Sequence, residues 1–231
     1  MKFGARISLP AEATALEQHD WYYAVALDDG SRIAARAVLI ATGARYRKLE
    51  VARLEEFEDK SVYYAATQAE ALLCRGAPVA VVGRGNSAGQ ATVFLAQHAA
   101  KVRLLIRDSD LGKCMSRYLA DQIERSAGVE LLPHAEVREL LGEKALEALV
   151  VEENRTRERR TLESRTLFVF IGAEPNARWL GDHLALDDRG FILTGLDAAR
   201  AAPARTRRGA RRQPPLLLET SWPGVFAAGD V

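Results

Sequence analysis

Cysteine is scarce in this chain of 231 residues, in which only Cys74 and Cys114 occur, 40 positions apart. This spacing matches neither a disulfide framework nor a C-x-x-C redox pair, so we expect two reduced thiols without a redox role. Histidine is also rare, and its four positions have no spacing typical of metal ligands, so the sequence predicts no metal site. The histidines are His19, His98, His134 and His183.

An excess of charge and a long apolar run are both missing. Lys and Arg number 32, Asp and Glu number 31, and the formal net charge is +1, so no overall field attracts nucleic acid or an anionic membrane. No apolar stretch approaches the roughly 18 residues that cross a bilayer, and residues 1–6 lack the apolar core of a secretion signal. We therefore expect a cytoplasmic globular protein with neither a nucleic-acid partner nor a membrane partner.

The most informative pattern is an apolar run that breaks into a glycine-rich turn. Val79–Val82 is followed by Gly-Arg-Gly-Asn-Ser-Ala at residues 83–88, a G-x-G-x-x-A turn, and then by a helix-forming stretch. A second apolar run occupies residues 102–107. This order predicts strand, tight turn, helix and strand, the unit that binds dinucleotides. Glycine-rich turns without a ligand also occur, but the flanking elements favour nucleotide binding.

The small residues of this turn have predicted roles in binding a pyrophosphate. Gly83 can adopt the backbone angles of the sharp turn, and Gly85 leaves room for the pyrophosphate to approach. Ala88 lets the helix lie close to the sheet. Because a helix N-terminus attracts phosphate, we expect the backbone amides of Asn86 and Ser87 to donate hydrogen bonds to it.

Alternating residues near the start predict two antiparallel strands, Trp21–Leu27 and Ser31–Arg36, joined through a D-G turn. A short apolar run, Ala37–Ala41, follows and stops at Thr42 and Gly43. This run predicts either a buried strand whose end opens onto a ligand crevice or simply a strand and its turn.

The rest of the chain carries weaker patterns. Residues 45–75 are polar with helical pieces, which we interpret as a connection between two lobes. The remaining predicted elements are a helix at Met115–Ser126, strands at Val129–Leu132 and Glu136–Leu141, a hairpin of Leu146–Glu152 with Arg160–Glu163, a buried strand at Thr166–Gly172, and a strand from Pro223 that ends in Gly-Asp.

One segment, Arg200–Gln213, is extreme in charge, with six arginines and no acidic residue. It could bind nucleic acid or another anionic partner. However, it contains no interleaved aromatic residue that could stack on a base, and it lies between two strand-like segments. The pattern therefore favours a solvated surface loop.

Four segments occur in one order along the chain: Ala41-Thr-Gly43, the glycine-rich turn, Leu167–Asn176 and Glu219–Asp230. Together they resemble the low-molecular-weight thioredoxin reductase family of flavoprotein oxidoreductases, over nearly the whole chain. The resemblance implies an α/β fold in which a Rossmann-like NAD(P)H-binding domain is inserted into an FAD-binding domain. It also implies that electrons pass from NAD(P)H to flavin and then to an acceptor, whose identity the sequence leaves open.

The resemblance also implies domain bounds and flavin-site residues. We expect partial FAD-binding segments at residues 1–66 and 172–231, with the NAD(P)H-binding domain at residues 67–171 between them. No side chain is a credible general acid or base, and we name no catalytic residue. By resemblance, Thr42 and Gly43 lie at the linker between the two domains, and Gly229 and Asp230 follow the last strand, where Asp230 holds the ribityl chain of FAD.

The chain departs from the family pattern at the redox cysteines. The position of the family's C-x-x-C falls here on Ala66-Thr-Gln-Ala69. Disulfide exchange needs one thiolate to attack and a second thiol to resolve the mixed disulfide, and alanine can do neither. We therefore expect no disulfide reduction by the usual route. Flavoproteins of similar architecture, such as the ferredoxin-NADP reductases, pass electrons directly from flavin to an acceptor.

A second departure concerns the choice of coenzyme. The family's His-Arg-Arg at the end of the second strand of the inserted domain is Ile106-Arg107-Asp108 here. A guanidinium can pair with the 2′-phosphate of NADPH, whereas a carboxylate accepts a hydrogen bond from the 2′-hydroxyl of NADH and repels phosphate. Because Arg107 keeps the first arginine of the pattern, we expect NADPH, with NADH as the second choice. This preference assumes that Asp108 points into solvent.

The third departure is at the two ends. The family begins with its own G-x-G-x-x-G turn for the ADP half of FAD and ends with a helix that covers the flavin, and neither occurs within residues 1–231. The resemblance thus implies an FAD domain truncated at both ends, which alone binds FAD weakly or not at all. The alternatives are a nucleotide-binding or regulatory module without turnover and an inactive fragment. Family members are commonly dimers, so a homodimer is a further, weaker expectation.

Overall fold

A computed structural model describes residue 4 and residues 6–112, 114–201 and 215–231 of the chain. These residues form two compact units: an outer unit, Met1–Arg45 with Ala173–Val231, and a central unit, Tyr46–Gly172. Among the described residues, none of the helices combines the length and the apolar character that crossing a membrane requires. The arginine-rich segment predicted as a surface loop lies outside the described residues from position 202 to its end.

The elements of the outer unit lie at both ends of the chain. Before the central unit they are β1 (Ala13–Gln18), β2 (Tyr23–Leu27), β3 (Arg32–Ala35), β4 (Val38–Ile40) and β5 (Ala44–Tyr46), the last of which ends one residue inside the central unit.

The elements of the central unit alternate between strands and short helices before a three-stranded antiparallel sheet and a final strand. They are α1 (Leu54–Phe57), β6 (Val62–Tyr63), α2 (Gln68–Leu73), β7 (Pro78–Val82), α3 (Asn86–Leu95), β8 (Lys101–Leu105), α4 (Arg117–Arg125), β9 (Val129–Leu132), β10 (Ala135–Leu141), β11 (Ala148–Glu153), β12 (Arg159–Glu163) and β13 (Thr166–Val169).

The chain then returns to the outer unit. The elements there are β14 (Ala173–Pro175), a 3-10 helix (Arg178–His183), α5 (Gly195–Ala201) and β15 (Val225–Ala227).

The central unit is built on a parallel sheet with the strand order β6-β13-β7-β8-β9. Strand β7 shows how its residues divide between two cores, because successive side chains of a strand point to opposite faces. Val79 and Val81 pack with α3, α4 and Phe168 on one face. Ala80 and Val82 pack on the other face with the antiparallel sheet β10-β11-β12. A strand buried on both faces reads as a continuous apolar run, which is why this strand was predictable.

Residues 46–66 belong to the central unit, which corrects two sequence interpretations. The sequence pattern predicts a connection between lobes at residues 45–75, and the resemblance predicts that the inserted domain begins at residue 67. Instead, Phe57 is fully buried in the central core, and Val62 pairs with Leu167 of β13. Long-range packing therefore moves the first boundary back by about 20 residues, whereas the second boundary differs by one residue from the expected position.

The outer unit contains smaller sheets. Strands β1, β2 and β3 form an antiparallel sheet, and β4 pairs in parallel with β15. The predicted hairpin of β2 and β3 is confirmed, but β1 was not predicted from the sequence. The strand predicted at Ala37–Ala41 is present as β4, yet it is not buried throughout, because Ile40 is buried while Leu39 is 64% exposed. Strand β5 pairs with β14.

Candidate dinucleotide-binding site

The turn that follows β7 requires glycine at its first position. Gly83 has a φ angle of +146°, and a Cβ atom there would lie 2.4 Å from the backbone oxygen of Phe170 and 3.0 Å from the Cβ of Ala88. The backbone is held in this position because the Gly83 amide donates to the carbonyl oxygen of Leu105 at 3.2 Å. The sequence assigned Gly83 to a sharp turn, and the packing against Phe170 supplies a second reason for glycine.

The next glycine stands at the beginning of α3 and faces open space. Gly85 is the N-cap residue of α3, and no atom lies within 4 Å of the position that a Cβ would take. Among the described residues, no side chain caps this end of the helix. Asn86 and Ser87, the first two residues of α3, are exposed. This end of α3 therefore offers backbone N–H groups and free space together, as a bound phosphate requires.

Small residues let the neighbouring helix lie close to the turn. Ala88 is fully buried, and a Cβ added at Gly89 would lie 2.8 Å from the Sδ of Met115. The side-chain oxygen of Asn86 accepts a hydrogen bond from the backbone N–H of Ser116, at 2.8 Å, just before α4 begins. Ser116 was not predictable from the sequence, because a contact between residues 30 positions apart leaves no local signal.

The end of β8 brings a carboxylate to the same turn. Asp108 accepts a hydrogen bond from the guanidinium of Arg84, the residue between the two glycines, and the two side chains form an ion pair. Asp108 therefore does not point freely into solvent, which was the assumption behind the expected preference for NADPH. Arg107 is exposed, and its backbone oxygen accepts a hydrogen bond from Nδ2 of Asn154 at 3.0 Å. Nothing in the local sequence singles out Arg84.

The flavin-site residues expected in the outer unit lie at one edge of the β4-β15 pair. Because Ala227 of β15 is in register with Ile40 of β4 and the strands are parallel, the segments after both strands leave at the same edge. Gly43 and Gly229 have φ angles of +68° and +87°, and no atom lies within 4 Å of a Cβ at either position. Asp230 is exposed.

Asn176 holds the Thr42-Gly43 segment in place. The Thr42 hydroxyl donates to the backbone oxygen of Asn176 at 3.0 Å, and Nδ2 of Asn176 donates to the backbone oxygen of Thr42 at 3.1 Å. The backbone N–H of Asn176 donates to the oxygen of Gly43 at 3.0 Å. This edge thus combines a fixed backbone with two glycines in open surroundings, which fits the close approach of a large cofactor.

A helix cap occupies the place where the resemblance puts the cysteine pair. Thr67 is the N-cap of α2, its hydroxyl accepts from the Ala69 amide at 3.2 Å, and Glu70 accepts from the Thr67 amide at 2.8 Å. The hydrogen bonds from Thr67 lower the pKa of the Glu70 carboxyl below its ordinary value. Residues 66–69 therefore begin a helix through a capping box and carry no thiol.

The two cysteines lie elsewhere and differ in exposure. Cys74 is buried at the end of α2, and burial raises the pKa of its thiol above the ordinary value. Cys114 is exposed. Within the part of the chain that the structure describes, no group of three His, Cys, Asp or Glu side chains could hold a metal ion.

Known proteins resemble the chain over nearly its whole length. The family model of the pyridine nucleotide-disulphide oxidoreductases matches residues 4–231. The chain is 30% identical over 235 residues to a thioredoxin reductase of Mycoplasmopsis pulmonis, covering 99% of this chain and 67% of that protein. It is 28% identical over 226 residues to a 34.2 kDa protein in the rubredoxin operon of Clostridium pasteurianum, covering 98% of this chain and 63% of that protein.

A solved structure shows the same fold. Thioredoxin reductase from Giardia duodenalis superposes with a TM-score of 0.76 at 22% sequence identity, covering 96% of this chain and 66% of that chain. The chain therefore spans about two thirds of the length of the proteins that it matches.

Proposed function

Because the chain belongs to the pyridine nucleotide-disulphide oxidoreductase family and resembles its thioredoxin reductases, we propose that it forms the coenzyme-binding part of an FAD-dependent NAD(P)H oxidoreductase. The fold is the α/β fold with two dinucleotide-binding domains. In this proposal the central unit binds NAD(P)H and the outer unit contributes to the binding of FAD. A cytoplasmic location and a homodimer stay predictions, which cell fractionation and light scattering can check.

The turn after β7 is the observation that carries the proposal. Gly83 is required by the fold itself, whereas the open space at Gly85 has no such structural reason. An uncapped helix N-terminus next to this space supplies the N–H donors and the favourable dipole for a pyrophosphate. We assign the phosphate contacts to the backbone amides of Asn86 and Ser87, with buried Ala88 keeping the helix against the sheet.

The chemistry of the reaction belongs to the cofactors, and the chain positions them. FAD held at the edge formed by Thr42, Gly43, Gly229 and Asp230 would supply the hydride acceptor for the nicotinamide and the electrons for the final acceptor. Thr42, Gly43, Gly229 and Asp230 are assigned to the flavin because they lie together at the carboxyl ends of two parallel strands. Arg107 is assigned to the adenosine ribose or its 2′-phosphate. The order of NADPH before NADH assumes that Asp108 points into solvent, and because Asp108 pairs with Arg84, both coenzymes are tested.

We further propose that the electron acceptor is reached without a redox dithiol in this chain. The segment at residues 66–69 is the capped start of a helix, and the two cysteines of the chain are far apart in sequence. Without a resolving thiol, exchange with a disulfide substrate cannot be completed by the usual route. The acceptor in this proposal therefore takes electrons directly from flavin.

Coenzyme binding can be tested with a variant that fills the open space and leaves the fold intact. Gly85→Ala should bind NADPH and NADH at least about tenfold more weakly than the wild type in calorimetry, because the added methyl group occupies the path of the pyrophosphate. Gly128→Ala is the matched control, since Gly128 meets only one backbone oxygen at 3.9 Å and lies outside the turn. The absence of binding heat in the wild type, or equal binding by Gly85→Ala, would contradict the proposal.

Turnover is tested separately from binding. We expect the whole chain to bind NAD(P)H, and diaphorase activity after addition of FAD would support the oxidoreductase. Coenzyme binding without any turnover, when flavin fluorescence shows that FAD is bound, would instead support the nucleotide-binding module. A chain that does neither would be an inactive fragment.

A further inference from the structure

We propose that Arg84 selects between the two coenzymes, because it can bind the 2′-phosphate of NADPH and Asp108 competes with that phosphate for its guanidinium. The inference rests on the proposed nucleotide site and goes beyond it by naming two side chains that set its specificity. Its basis is the hydrogen-bonded ion pair between Arg84 in the glycine-rich turn and Asp108 after β8.

The backbone at both partners of the ion pair is held by neighbouring contacts. Arg84 stands between Gly83, where the backbone oxygen of Phe170 leaves no room for a Cβ, and Gly85 at the start of α3. The backbone oxygen of Asp108 accepts a hydrogen bond from the N–H of His134 at 3.1 Å. The backbone of Arg84 and that of Asp108 therefore lie after the carboxyl ends of β7 and β8, which are neighbouring strands of the central sheet. The pair is thus fixed by the fold at the edge where the coenzyme is proposed to bind.

This position is where dinucleotide folds read the 2′ substituent of the adenosine ribose. A carboxylate at the end of the second strand accepts a hydrogen bond from a 2′-hydroxyl, and a nearby arginine accommodates a 2′-phosphate. Here the chain presents both groups, already bonded to each other. A carboxylate and a phosphate present similar oxygen pairs to a guanidinium, so Asp108 occupies Arg84 in the same manner as the phosphate of NADPH would.

The two coenzymes meet this pair differently. NADPH must displace Asp108 from Arg84 and then lies beside an unpaired carboxylate, so that its binding is weakened by the exchange. NADH has no phosphate and can bind while the pair stays intact. The side chains are partly accessible, with 53% of Arg84 and 34% of Asp108 exposed, so the exchange needs no opening of the core. Asp108 and the 2′-phosphate of NADPH therefore compete for the guanidinium of Arg84.

Dissociation constants of NADPH and NADH for the whole chain, measured by tryptophan fluorescence or calorimetry, test this inference. Asp108→Asn should tighten NADPH about tenfold and change NADH by less than about threefold, because Arg84 is released and a repulsive charge is removed. Arg84→Ala should weaken NADPH and leave NADH unchanged or tighter. The loss caused by Arg84→Ala should be larger in the Asp108→Asn background, where Arg84 is no longer occupied.

Lys101→Ala is the matched control. Lys101 carries the same charge, is 47% exposed and pairs with Glu130 at 2.7 Å, but it lies at the opposite end of β8. It should leave the ratio of the two dissociation constants unchanged. Competition by 2′,5′-ADP and by ADP should repeat the shifts seen with NADPH and NADH, because these fragments differ in the same phosphate.

The outcomes separate this inference from the proposed function. If the wild type and all variants bind neither coenzyme, the nucleotide site itself is wrong. If both coenzymes bind but Asp108→Asn leaves their ratio unchanged, or Arg84→Ala has equal effects in both backgrounds, the competition is overturned while the site stands. Should Asp108→Asn fail to fold by circular dichroism, Asp108→Ala removes the same carboxylate and must shift the ratio toward NADPH.

Discussion

Gly83 of the central unit stands in surroundings opposite to those of Gly43 and Gly229 in the outer unit. In the central unit, Gly83 has no room for a side chain, because a Cβ there would collide with the backbone of Phe170. In the outer unit, Gly43 and Gly229 have positive φ angles but no atom within 4 Å of a Cβ. The comparison teaches that the first glycine is required by the folded chain alone, whereas the other two are required by backbone conformation and leave space for a ligand.

The sheets of the two units differ in burial: the central sheet is buried on both faces, whereas the β4-β15 pair is partly exposed. Every residue of β13, Thr166–Val169, is buried within a five-stranded parallel sheet that is covered on both faces. Strand β4 pairs only with β15 among the described strands, and Leu39 at its centre is largely exposed. Because a two-stranded pair buries little apolar surface, we expect the central unit to contribute most of the stability.

The largest expected effect is a cavity in the central core. Phe168→Ala removes a fully buried ring of β13 and should lower the free energy of unfolding by about 3–5 kcal/mol in urea titrations. Leu39→Ala in β4 is the comparison variant and should cost less than about 1 kcal/mol, because the side chain is mostly exposed. Equal losses in the two variants would break the contrast between the units.

A pair of glycine variants sharpens the contrast at the strand ends. Gly83→Ala should cost roughly 2–4 kcal/mol, because it adds a backbone collision to an unfavourable φ angle. Gly43→Ala should cost only about 1–2 kcal/mol, the strain of a left-handed conformation without any collision. Thermal and urea unfolding measure both, and a larger loss for Gly43→Ala would contradict the explanation given for Gly83.

Acid should weaken the central unit through one buried carboxylate. Glu152 is the only acidic or basic residue among the buried described residues, with 5% of its side chain exposed, and Arg138, Arg157 and Arg159 all bond to it. The hydrogen bond from Arg159, together with the other arginines, lowers the pKa of the Glu152 carboxyl below its ordinary value of 4.5.

Because the pKa of the Glu152 carboxyl is lowered in the folded chain, its contribution to stability depends on pH. Its stabilising contribution is fully present above pH 4.5, the value in the unfolded chain, and is lost as the pH falls through the lower folded value. Glu152→Gln should therefore be less stable than the wild type at pH 7, with a difference that disappears in acid. Glu139→Gln is the control, since its partner Arg159 lies 3.5 Å away and both side chains are exposed. A pH-independent difference for Glu152→Gln would show that shape, not charge, is lost.

The smallest expected effect concerns the cap at Thr67. Thr67→Ala removes the hydroxyl that accepts from Ala69 and should cost about 1 kcal/mol of stability in urea titrations. Thr67→Ser keeps the oxygen and should recover most of that loss. If neither substitution changes stability, the capping box is not what holds the start of α2, and the segment at residues 66–69 needs another explanation.

The sequence predicted the elements whose patterns are local. The apolar run of β7, the glycine turn and the helical spacing of α3 each follow from neighbouring residues, and the hairpins at β2-β3 and β11-β12 follow from alternation around polar turns. Residues 46–66 were misassigned because their short pieces acquire a core only through β13, about 100 positions later.

Long-range pairing also explains what was missed at the candidate site. Arg84 and Asp108 are 24 positions apart, and Thr42 and Asn176 are 134 positions apart. Each side chain alone is an ordinary polar residue. The parallel pairing of β7 and β8 brings Arg84 and Asp108 together, and the pairing of β5 with β14 brings Thr42 and Asn176 together. The residue types at the glycine turn were therefore predictable, whereas the partners that orient them were not.

The loop between Asp108 and Ser116 is fastened to the glycine turn at both of its ends, by Arg84 at one and by the side chain of Asn86 at the other. It carries Cys114, an exposed thiol, while the other cysteine of the chain is buried. A maleimide dye would therefore attach at the native Cys114, and its emission would report coenzyme binding without an engineered cysteine.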